Sequence, residues 1–422
     1  MQEKSKPVDN LRADAEKIIT RAIAAVLPDA AVERALKGKT FLGRVCLVAA
    51  GKAAWQMAHA ARACLQDNFC GGVVVTKYGH VKDEIANVAC FEGGHPVPDE
   101  NSLRGTDAAL ALTEDLTESG TVVFLLSGGG SALFEKPLLP LAELQDVTNQ
   151  LLAAGADIVE INTIRKRLSA VKGGRFARHC APAQVFAVVL SDILGDPLDM
   201  IASGPAYPDS SSCAQALDIA KRYGLRLSER AWALLAQETP KTLENVETQI
   251  TGSVRELCAA AAAACEALGY EPMILTDCLC CEAREAGSML ASIARTHARD
   301  GKNLAFLMGG ETVVHLRGNG LGGRNQEIAL SAALGIEGLS NALVFSVGSD
   351  GTDGPTDAAG GIADGETAQL MRQKGVDAVQ SLNDNDAYHA LGAVGGLLKT
   401  GATGTNVNDL SVLLIGKPRL TF

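Results

Sequence analysis

Short apolar runs that end, again and again, in a small, polar or charged residue leave a chain few ways to fold. Such runs occur at 45–50 before Gly51-Lys52, at 73–76 before Lys77, at 122–126 before Ser127-Gly128-Gly129-Gly130-Ser131, and at 185–190 before Ser191-Asp192. They continue at 273–275 before Thr276-Asp277, at 304–308 before Gly309-Gly310-Glu311, and at 343–347 before Gly348-Ser349-Asp350. Apolar runs of this length, bounded by turn residues, read as buried strands, and here they alternate with helical segments. The alternation predicts an α/β fold built from βαβ units, with two three-layer domains and largely parallel sheets. Ligands of such sheets bind beyond the carboxyl ends of strands. Both halves of the chain place Gly, Ser, Asp and Lys there, so an interdomain cleft is the expected site.

At 422 residues the chain is too long for one ordinary core. Leu11, Ala15, Ile18, Ile19, Ala22, Ile23, Val26 and Leu27 share one helical face, and Pro28 stops that helix. Further on, Ser253 with Glu256 reads as a capping box, and Gly269 sits where a helix C-cap glycine belongs. The stretch 237–249 between these regions is polar and aperiodic. It places the boundary between an N-terminal Rossmann-like domain, 1–242, and a C-terminal domain, 243–422.

Composition removes several function classes. A net charge of −11 repels polyphosphate backbones and argues against nucleic acid, while leaving room for a small anion where basic groups converge. Leu257–Cys265, one of the longest apolar runs, is far short of the ~20 residues a membrane span needs. The N-terminus, MQEKSKPVDN, has no apolar signal core, so no export is expected. The eleven cysteines show no paired CxxC spacing, which fits free thiols in the cytoplasm.

Several motifs could carry chemistry. In Ser127–Ser131, glycines let successive N–H groups turn toward one anion and two hydroxyls add donors; a tight turn without ligand is the alternative. Lys52 after a strand can reach a phosphate as a point charge, although no Walker A spacing surrounds it. Gly318–Gly323 satisfies G-x-G-x-x-G, but no acid follows at the spacing a dinucleotide ribose requires. Its other use is a glycine clamp presenting Arg324 at a helix N-terminus, where anions are favoured. The runs 191–196 and 348–357 place carboxylates beyond strand ends, suited either to Mg²⁺ or to capping turns and helices. Arg165-Lys166-Arg167, Lys172, Arg175 and Arg178 form a basic island that reads as an anion-focusing patch or as a solvated helix face. His59, His95, His179, His315 and His389 show no metal-ligand spacing.

Taken in order, these stretches resemble the glycerate 2-kinase family, whose C-terminal part carries the MOFRL domain. The similar segments are 50–54 (AGKAA), 94–99 (GHPVPD), 126–133 (LSGGGSAL), 161–174 (INTIRKRLSAVKGG) and 190–209 (LSDILGDPLDMIASGPAYPD). In the second half they are 309–312 (GGET), 322–327 (GGRNQE), 350–359 (DGTDGPTDAA) and 403–409 (TGTNVND). One departure is Gly195-Asp196-Pro197, where the family pattern has Gly-Asp-Asp-Pro. Another is 278–281, where cysteines replace a Gly- and Glu-containing segment.

The resemblance implies a kinase that uses ATP and Mg²⁺ to phosphorylate D-glycerate at its 2-hydroxyl. It implies Lys52, Asp192 and Arg324 as catalytic residues, with Asp192 as the Mg²⁺ ligand or the hydroxyl's base. It also implies phosphate- or substrate-binding positions at Ser127, Gly128, Gly129, Gly130, Ser131, Asn162, Lys166, Glu311 and Asp350. A homodimer is compatible with it. Two rivals remain at this point: an NAD(P)H-dependent hydroxypyruvate reductase, resting on Gly318–Gly323, and a non-catalytic binding protein on the same scaffold.

Overall fold

In the computed structural model, residues 8–65, 67–191 and 198–417 are described. The chain forms two compact units, one of Pro28–Thr251 and one of Met1–Leu27 with Gly252–Phe422.

The first unit holds one six-stranded sheet. Its strands are β1 (Val45–Ala50), β2 (Phe69–Lys77), β3 (Val88–Gly93), β4 (Thr121–Leu126), β5 (Gln184–Val189) and β6 (Val246–Ile250). All pair in parallel, in the order β3-β2-β1-β4-β5-β6. Alternate residues of β1 feed opposite cores. Cys46, Val48 and Ala50 join Phe124, Phe134 and Phe176 on one face, while Val45, Leu47 and Ala49 join Trp55, Met57 and Ala58 on the other. Burial on both faces is why these strands read as unbroken apolar runs. β6 reads differently because it is an edge strand, VETQI, with three polar residues at its centre. It begins inside the polar stretch 237–249, where the sequence places the domain boundary.

The second unit holds β7 (Glu271–Leu279), β8 (Leu304–Gly310), β9 (Ala342–Gly348), β10 (Gly360–Asp364), β11 (Leu397–Leu398) and β12 (Asp409–Ile415). The order is β11-β10-β9-β12-β8-β7. Here the expected parallel sheet is corrected. Only β7 and β8 run parallel, and the other four pairings are antiparallel. Two of the four come from β12, which inserts between β8 and β9 from the far end of the chain, and two from β10, which runs antiparallel to β9 and β11.

The first helix, Val8–Ala25, belongs to this second unit, not to the N-terminal unit as a contiguous 1–242 division supposes. Its apolar face is buried as the periodicity requires. Arg12 pairs with Asp364 (Nη2–Oδ2 2.7 Å), and Asp14 accepts from the Tyr270 hydroxyl (2.9 Å), which fixes its place. The helix Val254–Ala267 starts at Ser253, whose hydroxyl accepts from the Glu256 N–H at 3.4 Å. The Glu256 carboxylate accepts from Gly252, so the reciprocal half of the box is displaced by one residue.

Candidate functional site

In the first unit the strand order reverses between β1 and β4, and ligands of doubly wound sheets sit in the crevice at that point. Gly51-Lys52 leaves β1 there, and Ser127–Ser131 leaves β4. The two ends are tied together. The Lys52 N–H donates to the Gly128 carbonyl (2.9 Å), and the Ala53 N–H donates to the Ser127 hydroxyl (3.0 Å). Gly129 has φ +86°, a left-handed conformation that only glycine adopts cheaply. The Lys52 side chain is exposed and has no ion-pair partner among the described residues.

Three further basic residues stand beside this point. Lys77 is the last residue of β2, and His95 follows β3. His80 places Nδ1 2.8 Å from the Lys52 carbonyl. His95 lies over the glycine loop, where a Cβ on Gly129 would sit 3.1 Å from both its Nε2 and the Lys52 Cγ. Burial lowers the His95 pKa, and the charges of Lys52, Lys77 and His80 lower it further. The sequence places Lys77 at a strand end without marking a role for it, and gives His95 no metal-ligand spacing. The signal that could have found both was the same strand-end position that singled out Lys52.

The loop is held from behind. The Ser131 and Ser203 hydroxyls are 3.1 Å apart, and Ser203 donates to Asn162 Oδ1 (2.8 Å). Asn162 is buried, so it reaches the loop through Ser203. Arg165 and Lys172 both donate to the Ser131 carbonyl, at 2.9 and 2.8 Å. Burial pulls the Lys172 ammonium down to about 8, against the opposing charge of Glu135 at 3.4 Å.

Lys166 requires a correction. Its ammonium is buried between Asp209 (3.1 Å) and Asp199 (3.3 Å). Burial pushes the Asp209 carboxyl up, but the Thr239 hydroxyl and the Lys166 charge outweigh it and hold the pKa below the usual range. An ammonium so neutralised is an internal tie, not an open phosphate ligand. Arg167, fully buried on Ser211 and Asp209, joins Lys166 and Lys172 as an internal charge, so half of the basic island is neither a solvated face nor a focusing patch, and of the six only Arg178 is exposed. Asp192 and Asp196 lie outside the described residues.

In the second unit Arg324 opens the helix Arg324–Gly335, as expected. The anion position at that helix start is already filled. Asp353 accepts from the Asn325 N–H (3.1 Å) and the Gln326 N–H (2.9 Å). Burial raises the Asp353 pKa to about 6, those two N–H groups oppose the rise, and the charge of Asp409 adds to it. The Arg324 guanidinium forks onto Asp409 through Nε (2.5 Å) and Nη2 (3.1 Å), and reaches Glu311 through Nη1 (2.7 Å). Burial alone would ease its proton off, but Asp409 and Glu311 reverse that and raise its pKa. Glu311 also accepts from Asn408 (3.3 Å). Asp350 lies two residues past β9, half-buried, with Oδ1 accepting from the Thr352 N–H (2.9 Å) and no ion pair among the described residues. The carboxylates of 348–357 thus serve turns and caps: Asp350 a turn, Asp353 a helix, and Asp357 an ion pair with Lys399 (2.7 Å).

The glycine run is explained by its neighbours. Asn385 Oδ1 accepts from the N–H groups of Arg317 (2.7 Å) and Gly318 (3.1 Å). Asp384 takes those of Asn319 (3.2 Å) and Gly320 (2.8 Å), and Asp386 takes that of Leu321 (3.0 Å). Side chains at 318 or 320 would collide with 384–386. The donors that a dinucleotide pyrophosphate would need are spent inside the fold.

Comparison with known proteins gives consistent matches. A family model described as a domain of unknown function (DUF4147) matches residues 14–236, and the MOFRL family model matches 304–409. The chain is 52% identical over 413 residues to a D-glycerate 2-kinase of Thermotoga maritima, covering 96% of this chain and 99% of that protein. It is 41% identical to a glycerate 2-kinase of Pyrococcus horikoshii, covering 96% and 97%. A crystal structure of glycerate kinase from Thermotoga maritima superposes with a TM-score of 0.92, covering 96% of this chain and all of that one.

Proposed function

Because this chain belongs to the glycerate 2-kinase family, we propose that it transfers the γ-phosphoryl group of ATP to the 2-hydroxyl of D-glycerate. The products are 2-phosphoglycerate and ADP. The observation that carries this reading is the strand-switch site itself, where Lys52, with no ion-pair partner among the described residues, faces a glycine loop bonded to its own backbone. Phosphoryl transfer asks a protein for positioning and for neutralisation of oxygen charge rather than for covalent chemistry. A lysine at the carboxyl edge of a parallel sheet, beside turned N–H groups, supplies both.

In this reading the glycerate 2-oxygen attacks the γ-phosphorus, the bond to the ADP oxygen breaks, and the hydroxyl proton leaves to a carboxylate. Lys52 holds phosphoryl oxygen. Arg324, kept charged by Asp409 and Glu311, has one N–H on each Nη left over for an oxyanion. Asp192 accepts the proton or holds Mg²⁺. Mg²⁺ takes one or two protein carboxylates and fills its remaining positions with phosphate and water. The chemistry of Asp350, a half-buried carboxylate without a cationic partner among the described residues, also fits that donor set. When bound, the ion neutralises charge on the transferring phosphate. Ser127–Ser131 cradles phosphate or carboxylate oxygen, with Asn162 (through Ser203), Arg165 and Lys172 supporting it from behind.

Among the described residues no helix is long and apolar enough to cross a membrane. The eleven cysteines are free thiols, which suits an enzyme acting on small molecules in the reducing cytoplasm. The test is ADP release from ATP and Mg²⁺ on addition of D-glycerate. The reading requires release that depends on all three, and ADP formation no faster than in a glycerate-free control would reject it.

A further inference from the structure

We propose that Lys77 and His95 are oxyanion-binding residues that grip, together with Lys52, a polyphosphate or carboxylate group at the strand-switch site. This rests on the kinase reading and adds residues to its site. Four neighbouring strands end on one edge in fixed register. Lys77 of β2 stands opposite Gly93 of β3, and Ala50 of β1 stands opposite both Val75 and Leu126. The residues just past those ends therefore arrive side by side: His95 after β3, Lys77 closing β2, Lys52 after β1, and the glycine loop after β4. His95 and the Lys52 stem close on Gly129 from within one Cβ contact, 3.1 Å each.

The charge distribution points the same way. No carboxylate pairs with Lys52 or Lys77 among the described residues, and the His95 ring has no hydrogen-bond partner there. In a chain of net charge −11, cations gathered with no counter-charge among the described residues run against the composition. Their mutual repulsion is relieved when an anion enters, so the cluster selects for one. A neutral imidazole adds a directional N–H donor to two ammonium groups, a set suited to an anion with several oxygens. His80 is set apart, because its Nδ1 is engaged by the Lys52 carbonyl at 2.8 Å and steadies the strand end.

The experiment is calorimetric binding of tripolyphosphate and, separately, of D-glycerate to the intact protein. Wild type is compared with Lys77→Gln, Lys77→Arg and His95→Gln, each checked for fold by circular dichroism. Lys221→Gln, an exposed charge on another helix of the same unit, controls for net charge. One of the two probes should bind about tenfold or more weakly to Lys77→Gln and to His95→Gln, a loss of about 1.4 kcal/mol each. Lys77→Arg should recover most of the affinity, and Lys221→Gln should match wild type. Loss confined to tripolyphosphate assigns the site to ATP phosphates, and loss confined to D-glycerate assigns it to the substrate carboxylate. Unchanged affinity for both probes in both variants overturns the proposal, as does a wild type that binds neither. Binding is read without turnover, so a protein that binds as described yet forms no ADP would defeat the kinase reading and leave this site standing.

Discussion

Lys172 donates its ammonium to the backbone carbonyl of Ser131 at 2.8 Å, from a position fully closed to solvent. It also faces Glu135, which is equally buried and whose carboxylate oxygens have no hydrogen-bond partner. The glycine loop after β4 is therefore pinned by a buried ion pair that spends its proton donors on loop carbonyls, here and at Phe134 (3.0 Å). Lys172→Met should cost about 3–5 kcal/mol in urea unfolding, because Glu135 is left in the core with only Arg165 near it at 3.7 Å. The double variant Lys172→Met/Glu135→Gln should cost clearly less than the sum of the two single changes. Additive losses would mean the pair is not coupled.

Asp353 gives a pH signature. Its carboxyl titrates at about 6 in the folded protein, above the ordinary 3.8. Between about pH 4 and 6 the unfolded chain has released this proton and the folded chain still holds it. The group therefore makes stability fall as pH rises through that window, by roughly 3 kcal/mol in total. Asp353→Asn should remove that component, so the difference between wild type and variant should shift by that amount between pH 4 and 6. Parallel curves for the two proteins would show that Asp353 ionises at its usual pH.

Arg324→Lys should fail nearly as badly as Arg324→Ala. The guanidinium uses Nε and Nη2 on Asp409 and Nη1 on Glu311 at once, and one ammonium cannot copy three directed contacts. Turnover should drop below a tenth in both variants. If Arg324→Lys retains more than that, a loss under about 1.4 kcal/mol, the fork geometry is not what the reaction needs.

Hydroxypyruvate should not oxidise NADH above a control without enzyme. The N–H groups of 317–321 that a pyrophosphate would require are bonded to residues 384–386. Turnover of about 1 s⁻¹, ordinary for an enzyme, would show that this loop opens to a nucleotide after all.

How legible all this was in the sequence depends on where each residue's partners lie. Strands buried on both faces announced themselves as apolar runs, and β1, β2, β4, β5, β8 and β9 appear where those runs stand. β6 escaped because an edge strand carries polar residues, and β12 because its neighbours are set by pairing with segments far earlier in the chain. Lys52 and the glycine loop could be found from their position after strands. The fate of Lys166 could not, since it was decided by Asp199 and Asp209, more than thirty residues downstream. The glycine fingerprint, which lacks its acid, has its explanation at a similar distance: G-x-G-x-x-G records tight backbone approach, and only the fold shows that the approach is to 384–386 and not to a ligand.

The central claim is transfer to the 2-position of glycerate, and the product's position tests it most directly. The protein is incubated with D-glycerate, ATP and Mg²⁺, and the product is passed to enolase alone, with no phosphoglycerate mutase present. The account predicts phosphoenolpyruvate in amounts matching the ADP released. ADP release without phosphoenolpyruvate, with 3-phosphoglycerate found in its place, would contradict it.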